Sequence, residues 1–323
     1  MSFNVVDRYH CDPTGATDNA QPFAAMVNEI AGLAGGGPKP KPLPRLVFPE
    51  GQYGYTAMPN LAFNNLEIVG EGQVELHYDG VGDALTFDGN SMGAMGGGVF
   101  NMHVAGIRVV PTSVARDGIV IKSVHHSMFS RLKCYGAGAP RNGVPNKAIS
   151  VYWNVCTEFD TMTVSPFDTA TGLGGGGSMD CVGLWLDTVT QPANWQTTDC
   201  IFRNAVIEAC RIGIQLQDAG GTLFSGGTAE GPSDTGIYVV KGGQNRSWGL
   251  WVEGNKNYDI WFGAGAKSND FNLSHPSSLK VKNDAPLAGT IARGTVGIFG
   301  APKTRTAKPL GGSVHIEIGH LLK

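Results

Sequence analysis

Gly213-Ile-Gln-Leu216, Gly236-Ile-Tyr-Val239 and Asp259-Ile-Trp-Phe262 are the three segments that decide the fold. Each places two apolar residues two positions apart, as a strand with one buried face requires. Their first residues follow a constant step of 23 residues, at positions 213, 236 and 259. A step of this length is typical of a repeat protein in which each coil stacks on the next. The sequence therefore predicts a solenoid of short strands in this region.

The same pattern continues toward the N-terminus at Gly118-Ile-Val-Ile121, Ala148-Ile-Ser-Val151 and Gly183-Leu-Trp-Leu186. Here the steps are 30, 35 and 30 residues, which predicts loops inserted into these coils at 136–146 and 168–180. The composition agrees, because 47 glycines and only 16% charged residues suit short strands joined by tight turns. We therefore predict an all-β chain that forms a parallel β-helix with three strands in each coil.

One amphipathic helix is expected before the strands. Asp18 can cap its N-terminus, and an apolar stripe follows at helical spacing, made of Phe23, Met26, Val27, Ile30 and Leu33. These residues predict a helix over about residues 19–33. Because the exposed end of a β-solenoid invites edge-to-edge association, we expect this helix to cover the first coil.

Three motifs near the N-terminus occur in a recognisable order. They are Asp12-Pro-Thr-Gly15-Ala-Thr-Asp18, then Arg45-Leu-Val-Phe-Pro-Glu-Gly-Gln-Tyr53, then Leu66-Glu-Ile-Val-Gly-Glu-Gly72. This order resembles the opening of the pectate-lyase-like superfamily, which includes phage tailspikes and some fungal glucanases. His10-Cys11 stands where that family usually has Gly-Ala. The resemblance implies a right-handed parallel β-helix.

The motifs and the coil pattern together predict three parts. Residues 1–60 would form an N-terminal cap with the first strands, and residues 61–282 the β-helix coils. Residues 283–323 lose the coil pattern and contain short β segments such as Ser313-Val-His-Ile-Glu-Ile318. We expect this last part to be a short β-rich C-terminal cap or a trimerisation segment that covers the final edge strand. The alternative is a frayed tail.

A column of glutamates follows from aligning the coils. Glu208, Glu230 and Glu253 are 22 and 23 residues apart, so we expect them to stack at the inter-strand spacing of about 4.8 Å. Repulsion between close carboxylates raises the pKa of at least one, which leaves an acid beside a base, as glycoside hydrolysis requires. We predict that these three residues are catalytic. The alternative is a solvated ladder at the turns that caps backbone amides or forms outside salt bridges.

A second column consists of the outward residues between the buried pairs, and it contains Trp185, Gln215, Tyr238 and Trp261. A row of aromatic faces with a polar residue suits stacking against pyranose rings. We predict carbohydrate binding at this column and at Trp251, which precedes Glu253 by two residues. The alternative is a subunit seam, because aromatic residues are also enriched where subunits bury one another.

Several classes of partner are not indicated. The net charge is −3 and no Lys or Arg run occurs, so nucleic acid is not expected as a partner. The six Cys form no C-x-x-C pair, and no acidic group is placed securely for calcium; we predict neither metal nor cofactor. No stretch is long and apolar enough for membrane insertion, and Met1 to Asp7 lacks the features of a signal peptide.

The family resemblance implies a function. We predict a tail fibre or tailspike of a phage or phage-derived particle, assembled in the bacterial cytoplasm and located in the virion tail. It would be a homotrimer that contacts other tail or baseplate proteins and binds a bacterial surface polysaccharide, either capsule or lipopolysaccharide. Degradation of that polysaccharide by a glycoside hydrolase or lyase activity is left open. The alternative function is a free polysaccharide-degrading enzyme outside any virion.

Overall fold

The computed structural model describes residues 2–34, 43–92, 97–166, 177–188, 196–231, 234–275, 280–285, 291–296 and 318–319. Its helices are α1 (Val5–Tyr9), α2 (Ala20–Ala34) and a 3₁₀ turn at Gly89–Met92. The strands of the first half are β1 (Ser2–Asn4), β2 (Arg45–Phe48), β3 (Gly51–Tyr55), β4 (Glu67–Tyr78), β5 (Leu85–Asp88), β6 (Val99–Phe100), β7 (His103–Pro111), β8 (Ile119–Lys122), β9 (Val124–His125), β10 (Met128–Ser130), β11 (Lys133–Cys134), β12 (Lys147–Tyr152), β13 (Glu158–Asp160) and β14 (Thr163–Val164). Those of the second half are β15 (Val182–Asp187), β16 (Thr197–Thr198), β17 (Ile201–Arg203), β18 (Val206–Glu208), β19 (Ile212–Leu216), β20 (Ala219–Gly220), β21 (Leu223–Ser225), β22 (Thr228–Glu230), β23 (Thr235–Gly243), β24 (Arg246–Glu253), β25 (Tyr258–Lys267), β26 (Asp270–His275), β27 (Val281–Asn283), β28 (Ile291–Val296) and β29 (Ile318–Gly319).

The strands coil around one core and form three faces. The first face carries β10, β13, β17 and β21, and the second carries β11, β14, β18 and β22. At β7 and β24 a single strand bends and belongs to both faces. The third face is a separate sheet of β5, β8, β12, β15, β19, β23, β25 and β27 in spatial order. These ladders are parallel, so the predicted all-β parallel β-helix is confirmed.

The bend between the first and second faces is made by a single residue in most coils. Arg131, Thr161 and Asn204 occupy it with φ of 51°, 54° and 52°. This left-handed conformation is uncommon for residues other than glycine and turns the chain sharply. The next two coils use Gly226 and Gly249 at the same place. One repeated local conformation therefore separates the two faces along much of the helix.

The core is built from columns of identical or similar side chains. The third face stacks Ile149, Leu184, Ile214, Ile237 and Ile260 in register, and all are fully buried. This is the alignment that the coil spacing predicts. On the first face, Phe129, Phe159, Phe202 and Phe224 form a continuous ring stack, with centroid separations of 5.5, 4.5 and 5.0 Å. In-register pairing of successive coils places each ring directly over the last.

Helix α2 covers the first coil, as the sequence predicts. Its buried side is formed by Phe23, Met26 and Ile30, and the Phe23 ring lies 5.6 Å from the Tyr55 ring of β3. The Asp18 carboxylate accepts a hydrogen bond from the Ala20 backbone N–H and so caps the helix start. Leu33, a member of the predicted apolar stripe, is instead 40% exposed, because it lies in the last turn of the helix.

The C-terminal end is described only in part. The third face ends at β27, whereas β28 pairs with β26, and β29 pairs with β28. Most of the predicted C-terminal segment 283–323, and residues 168–176 of one predicted inserted loop, lie outside the described residues. The other inserted loop, 136–146, is described and pairs with Ser178 through Ala137. The division of the chain at residues 60 and 282 stays a prediction.

The phenylalanine stack gives a direct test of the core. Phe202 has a ring on both sides, so Phe202→Ala removes two stacked contacts and leaves a cavity. We expect the free energy of unfolding to fall by about 3–5 kcal/mol. Urea denaturation of the wild type, Phe202→Ala and Phe202→Leu measures it, with the leucine variant losing less because it keeps more volume. A stability of Phe202→Ala equal to that of the wild type would contradict the stack's importance.

Candidate functional site

The three predicted glutamates form one row on the second face. Glu208 pairs in register with Glu230, and Glu230 with Glu253, at the ends of β18, β22 and β24. The residue before each glutamate is buried, so alternation along the strand turns the glutamates outward. The stacking expected from their spacing is therefore present in the structure. Their catalytic role stays a prediction.

A tight turn after each glutamate keeps the row aligned. Ala209 and Gly231 both have positive φ, of 59° and 114°. The Ala209 N–H donates to the Glu230 carbonyl, and the Gly231 N–H donates to the Glu253 carbonyl. A Cβ at Gly231 would lie 2.7 Å from the Ala209 nitrogen, which is closer than real contacts allow. Glycine at 231 therefore lets successive coils approach closely beside the carboxylates.

The row lines an open depression of about 380 Å³. Its other lining residues are small or rigid, namely Pro166, Ala209, Gly231 and Gly254. Among the described residues, no Lys or Arg side chain lies within ion-pairing distance of the three carboxylates. Outside salt bridges, one form of the alternative interpretation, are therefore not seen in the described part of the chain.

Glu230, in the middle of the row, has an altered acidity. Burial raises the pKa of Glu230, and the negative charges of Glu208 and Glu253 raise it further. A raised pKa favours the protonated acid at Glu230 beside its neighbours. The arrangement can therefore donate a proton and, from an adjacent carboxylate, accept one.

Trp251 shares a strand with Glu253. It lies two positions earlier in β24, on the same outward side of the second face, and it pairs with Thr228 of β22. An aromatic side chain so close to a carboxylate row suits a bound sugar, because the ring packs on apolar sugar faces and the carboxylates bind hydroxyls. The structure thus brings Trp251 and the glutamate row together.

The other aromatic column lies on the third face. Trp185 pairs with Gln215, Gln215 with Tyr238, and Tyr238 with Trp261, so the predicted alignment is present. This face is separate from the one that carries the glutamates. The structure therefore does not bring the column and the glutamate row into one cleft.

The last two rings of this column are covered by neighbouring side chains. The Tyr238 and Trp261 rings stack on each other with their centroids 4.1 Å apart. Lys282, on β27, places its Nζ 3.7 Å from the centroid of the Trp261 ring. Gln215 is only 7% exposed and donates to Gln217. The Trp261 ring is therefore covered by Tyr238 from the preceding coil and by Lys282 from the next one. Carbohydrate binding by this column stays a prediction.

A second depression, of about 500 Å³, was missed by the sequence analysis. It lies where the loop 15–18 meets the ends of β3, β4 and β7, and His77 and Asp79 are among its lining residues. The sequence does contain an indication that strands align here, since Gln52 and Glu75 are also 23 residues apart, and the structure pairs them in register. The positions that face this depression follow from that pairing.

Two features are absent from the described residues. No group of three or more His, Cys, Asp or Glu side chains in that part of the chain could hold a metal ion. No described helix is both long and apolar enough to cross a membrane.

No protein-family model and no curated protein matches the sequence. Solved structures do match. ORF18 of Geobacillus virus E2 has 13% identity and a TM-score of 0.67, and the match covers 98% of this chain and 60% of that one. The A-module of the mannuronan C-5 epimerase AlgE6 from Azotobacter vinelandii has 14% identity and a TM-score of 0.57, with 90% and 80% covered. The enzymatically active domain of tailspike protein 2 from bacteriophage CBA120 has 14% identity and a TM-score of 0.58, with 94% and 50% covered.

These matches show a shared fold. The chain is a right-handed parallel β-helix, the fold that its N-terminal motifs predict, and it shares this fold with the epimerase module and the tailspike domain. It spans 60% of the length of the Geobacillus virus protein and half that of the CBA120 chain.

The acidity of Glu230 predicts a pH-dependent stability. Because its pKa is raised by folding, the folded state binds more protons than the unfolded state just above the ordinary glutamate pKa of about 4.3. Stability from this group is complete below that pH and is lost as pH rises through the raised value. As pH rises across this window, the midpoint temperature of thermal unfolding should fall more steeply for the wild type than for Glu230→Gln. Parallel profiles for the two proteins would show that Glu230 titrates normally.

Proposed function

We propose that this chain binds a bacterial surface polysaccharide, capsule or lipopolysaccharide, on the outer face of its β-helix and hydrolyses it at the glutamate row. The observation that carries the proposal is the in-register row of Glu208, Glu230 and Glu253 in an open depression, with the pKa of Glu230 raised. Similarity of fold to a tailspike domain described as enzymatically active supports it.

The proposed reaction uses Glu230 as the acid. Its proton passes to the glycosidic oxygen of the bond that breaks, and an ionised neighbour, Glu208 or Glu253, acts from the adjacent coil. Coils stack at about 4.8 Å, close to the separation of about 5 Å that is typical of retaining glycosidases. In that geometry the neighbour attacks the anomeric carbon as the glycosidic bond breaks and forms a glycosyl ester; Glu230, now ionised, then takes a proton from the water that hydrolyses this ester and releases the sugar. Trp251 would hold the adjacent sugar ring.

We further propose that the chain is a tail fibre or tailspike component of a phage or phage-derived particle. The matches to a virus protein and to a tailspike support this role. A homotrimer that contacts other tail or baseplate proteins is part of the proposal. In that trimer, the interface between subunits would contain the column Trp185, Gln215, Tyr238 and Trp261. The ring faces of Tyr238 and Trp261 are covered within the chain, and the ring edges that remain would pack against a neighbouring subunit more readily than against pyranose rings.

A second candidate function is a free polysaccharide-modifying enzyme outside any virion. The match to an epimerase A-module, 80% of which is covered, favours it. The two candidates differ in where the protein is found. Purified particles that contain the chain would support the tail component, and a chain found only outside particles would support the free enzyme.

Removing the proposed acid tests hydrolysis. Glu230→Gln keeps the shape of the side chain but cannot act as a general acid, a group that contributes about 10²–10⁴-fold to rate. We expect the release of reducing ends from a panel of bacterial capsules and lipopolysaccharides to fall by that factor while adsorption persists. Glu71→Gln, at an exposed position of β4, is the matched control and should cleave normally. Equal turnover in both variants would exclude Glu230 as the acid, and unchanged turnover in Glu208→Gln and Glu253→Gln as well would exclude the whole row from catalysis.

Two tryptophans of β24 allow a matched test of binding. Trp251→Ala removes the ring beside the glutamate row, whereas Trp248→Ala removes a ring that is 66% exposed on the first face. We expect Trp251→Ala to weaken adsorption to the polysaccharide about tenfold, equivalent to about 1.4 kcal/mol, and Trp248→Ala to leave it unchanged. Affinity electrophoresis measures both. A larger loss of adsorption with Trp248→Ala than with Trp251→Ala would indicate that the polysaccharide binds to the first face instead.

A further inference from the structure

The larger of the two depressions lies far from the glutamate row. It is formed where loop 15–18 meets three strand ends, and its volume is about 500 Å³. The loop is tied to β3, because the Thr56 backbone N–H and hydroxyl both donate to the Asp18 carboxylate, at 3.1 and 2.6 Å. The depression is therefore bounded by fixed chain on both sides.

A buried carboxylate orients a histidine at its edge. Glu75 is only 4% exposed, and His77 Nε2 lies 3.0 Å from Glu75 Oε2. Gln52 and Gln73 also donate to this carboxylate, at 3.3 and 3.0 Å. A carboxylate accepts only, so Nε2 carries the imidazole proton and Nδ1 is left as an acceptor. Nδ1 has no partner among the residues that the structure describes.

The lining combines small apolar residues with polar side chains. Ala16, Gly54 and Val110 offer little side-chain bulk, while His77 and Asp79 supply acceptors. Sites of this composition bind small ligands through a few placed polar groups over an apolar surface. Hydroxyl groups can donate to an imidazole nitrogen and to carboxylate oxygens.

We propose that this depression is a second carbohydrate site, which binds a neutral hexose unit with a sugar hydroxyl donating to His77 Nδ1. It does not depend on the hydrolysis proposed at the glutamate row. Gly54, His77 and Val110 pair in register, and continued pairing through β11 and β14 leads along the second face to Glu208. Four coil steps separate His77 from Glu208, roughly 19 Å at the usual strand spacing.

The two depressions are distinct sites. The positions between them in this line are Tyr135 and Ser165, which are both only 3% exposed. A sugar in the second site therefore does not reach the carboxylates. A long polysaccharide could occupy both sites. The second site would then hold one part of the polysaccharide while another part is cleaved at the glutamate row.

Gly54 allows the second site to be filled without touching the glutamates. A Cβ there would lie 3.4 Å from the Gly15 carbonyl oxygen and 3.6 Å from that of Thr17, which are ordinary contacts. Gly54→Leu would thus project into the depression, and Gly54→Ala is its matched control. His77→Ala removes the proposed acceptor alone. Thermal unfolding of each variant confirms that it is folded.

Saturation-transfer NMR with D-glucose, D-galactose, L-rhamnose and N-acetyl-D-glucosamine tests the proposal. We expect at least one sugar to give a signal with the wild type and Gly54→Ala, and to lose most of it with Gly54→Leu and with His77→Ala. No signal from any of the four sugars overturns the proposal. A signal of wild-type strength with Gly54→Leu or with His77→Ala overturns it too, and leaves sugar binding at the glutamate row intact.

Discussion

The whole structure depends on in-register parallel pairing between successive coils. Each coil lies about 4.8 Å above the previous one, and its residues meet the equivalent residues of its neighbours. The pairing satisfies the backbone groups of each inner coil on both sides, so the side chains are left to stack in columns. Phe129, Phe159, Phe202 and Phe224 are one such column inside the helix. Glu208, Glu230 and Glu253 are the same arrangement outside it.

The same constraint has opposite effects on different side chains. Stacked phenyl rings attract one another and stabilise the core, whereas stacked carboxylates repel and resist ionisation together. Tyr238, Trp261 and Lys282 show a third outcome, because their stacking closes ring faces that would otherwise be open to solvent. The backbone therefore sets which residues meet, and their chemistry decides whether the contact stabilises the fold or creates a reactive group.

Features set by coil spacing could be predicted from the sequence. Ile214, Ile237 and Ile260 and the glutamate row both lie in the region where coils carry no inserted loops, so counting residues was enough. The ring packing at Trp261 could not be read in this way, because Lys282 reaches it from a later coil and its side-chain direction depends on packing. His77 was missed for a similar reason, since its orientation comes from the buried Glu75 and not from spacing.

The bare coils of the second half also bear on how such a chain can change. Each carries one residue of the glutamate row and one of the aromatic column within about 23 positions. Tandem duplication of one such unit would add one carboxylate to the cleft at the glutamate row. It would leave the contacts between the existing coils in place, as expected of repeat proteins whose units contact only adjacent units. Cleft length is thus a modular property, adjustable in steps of a single coil.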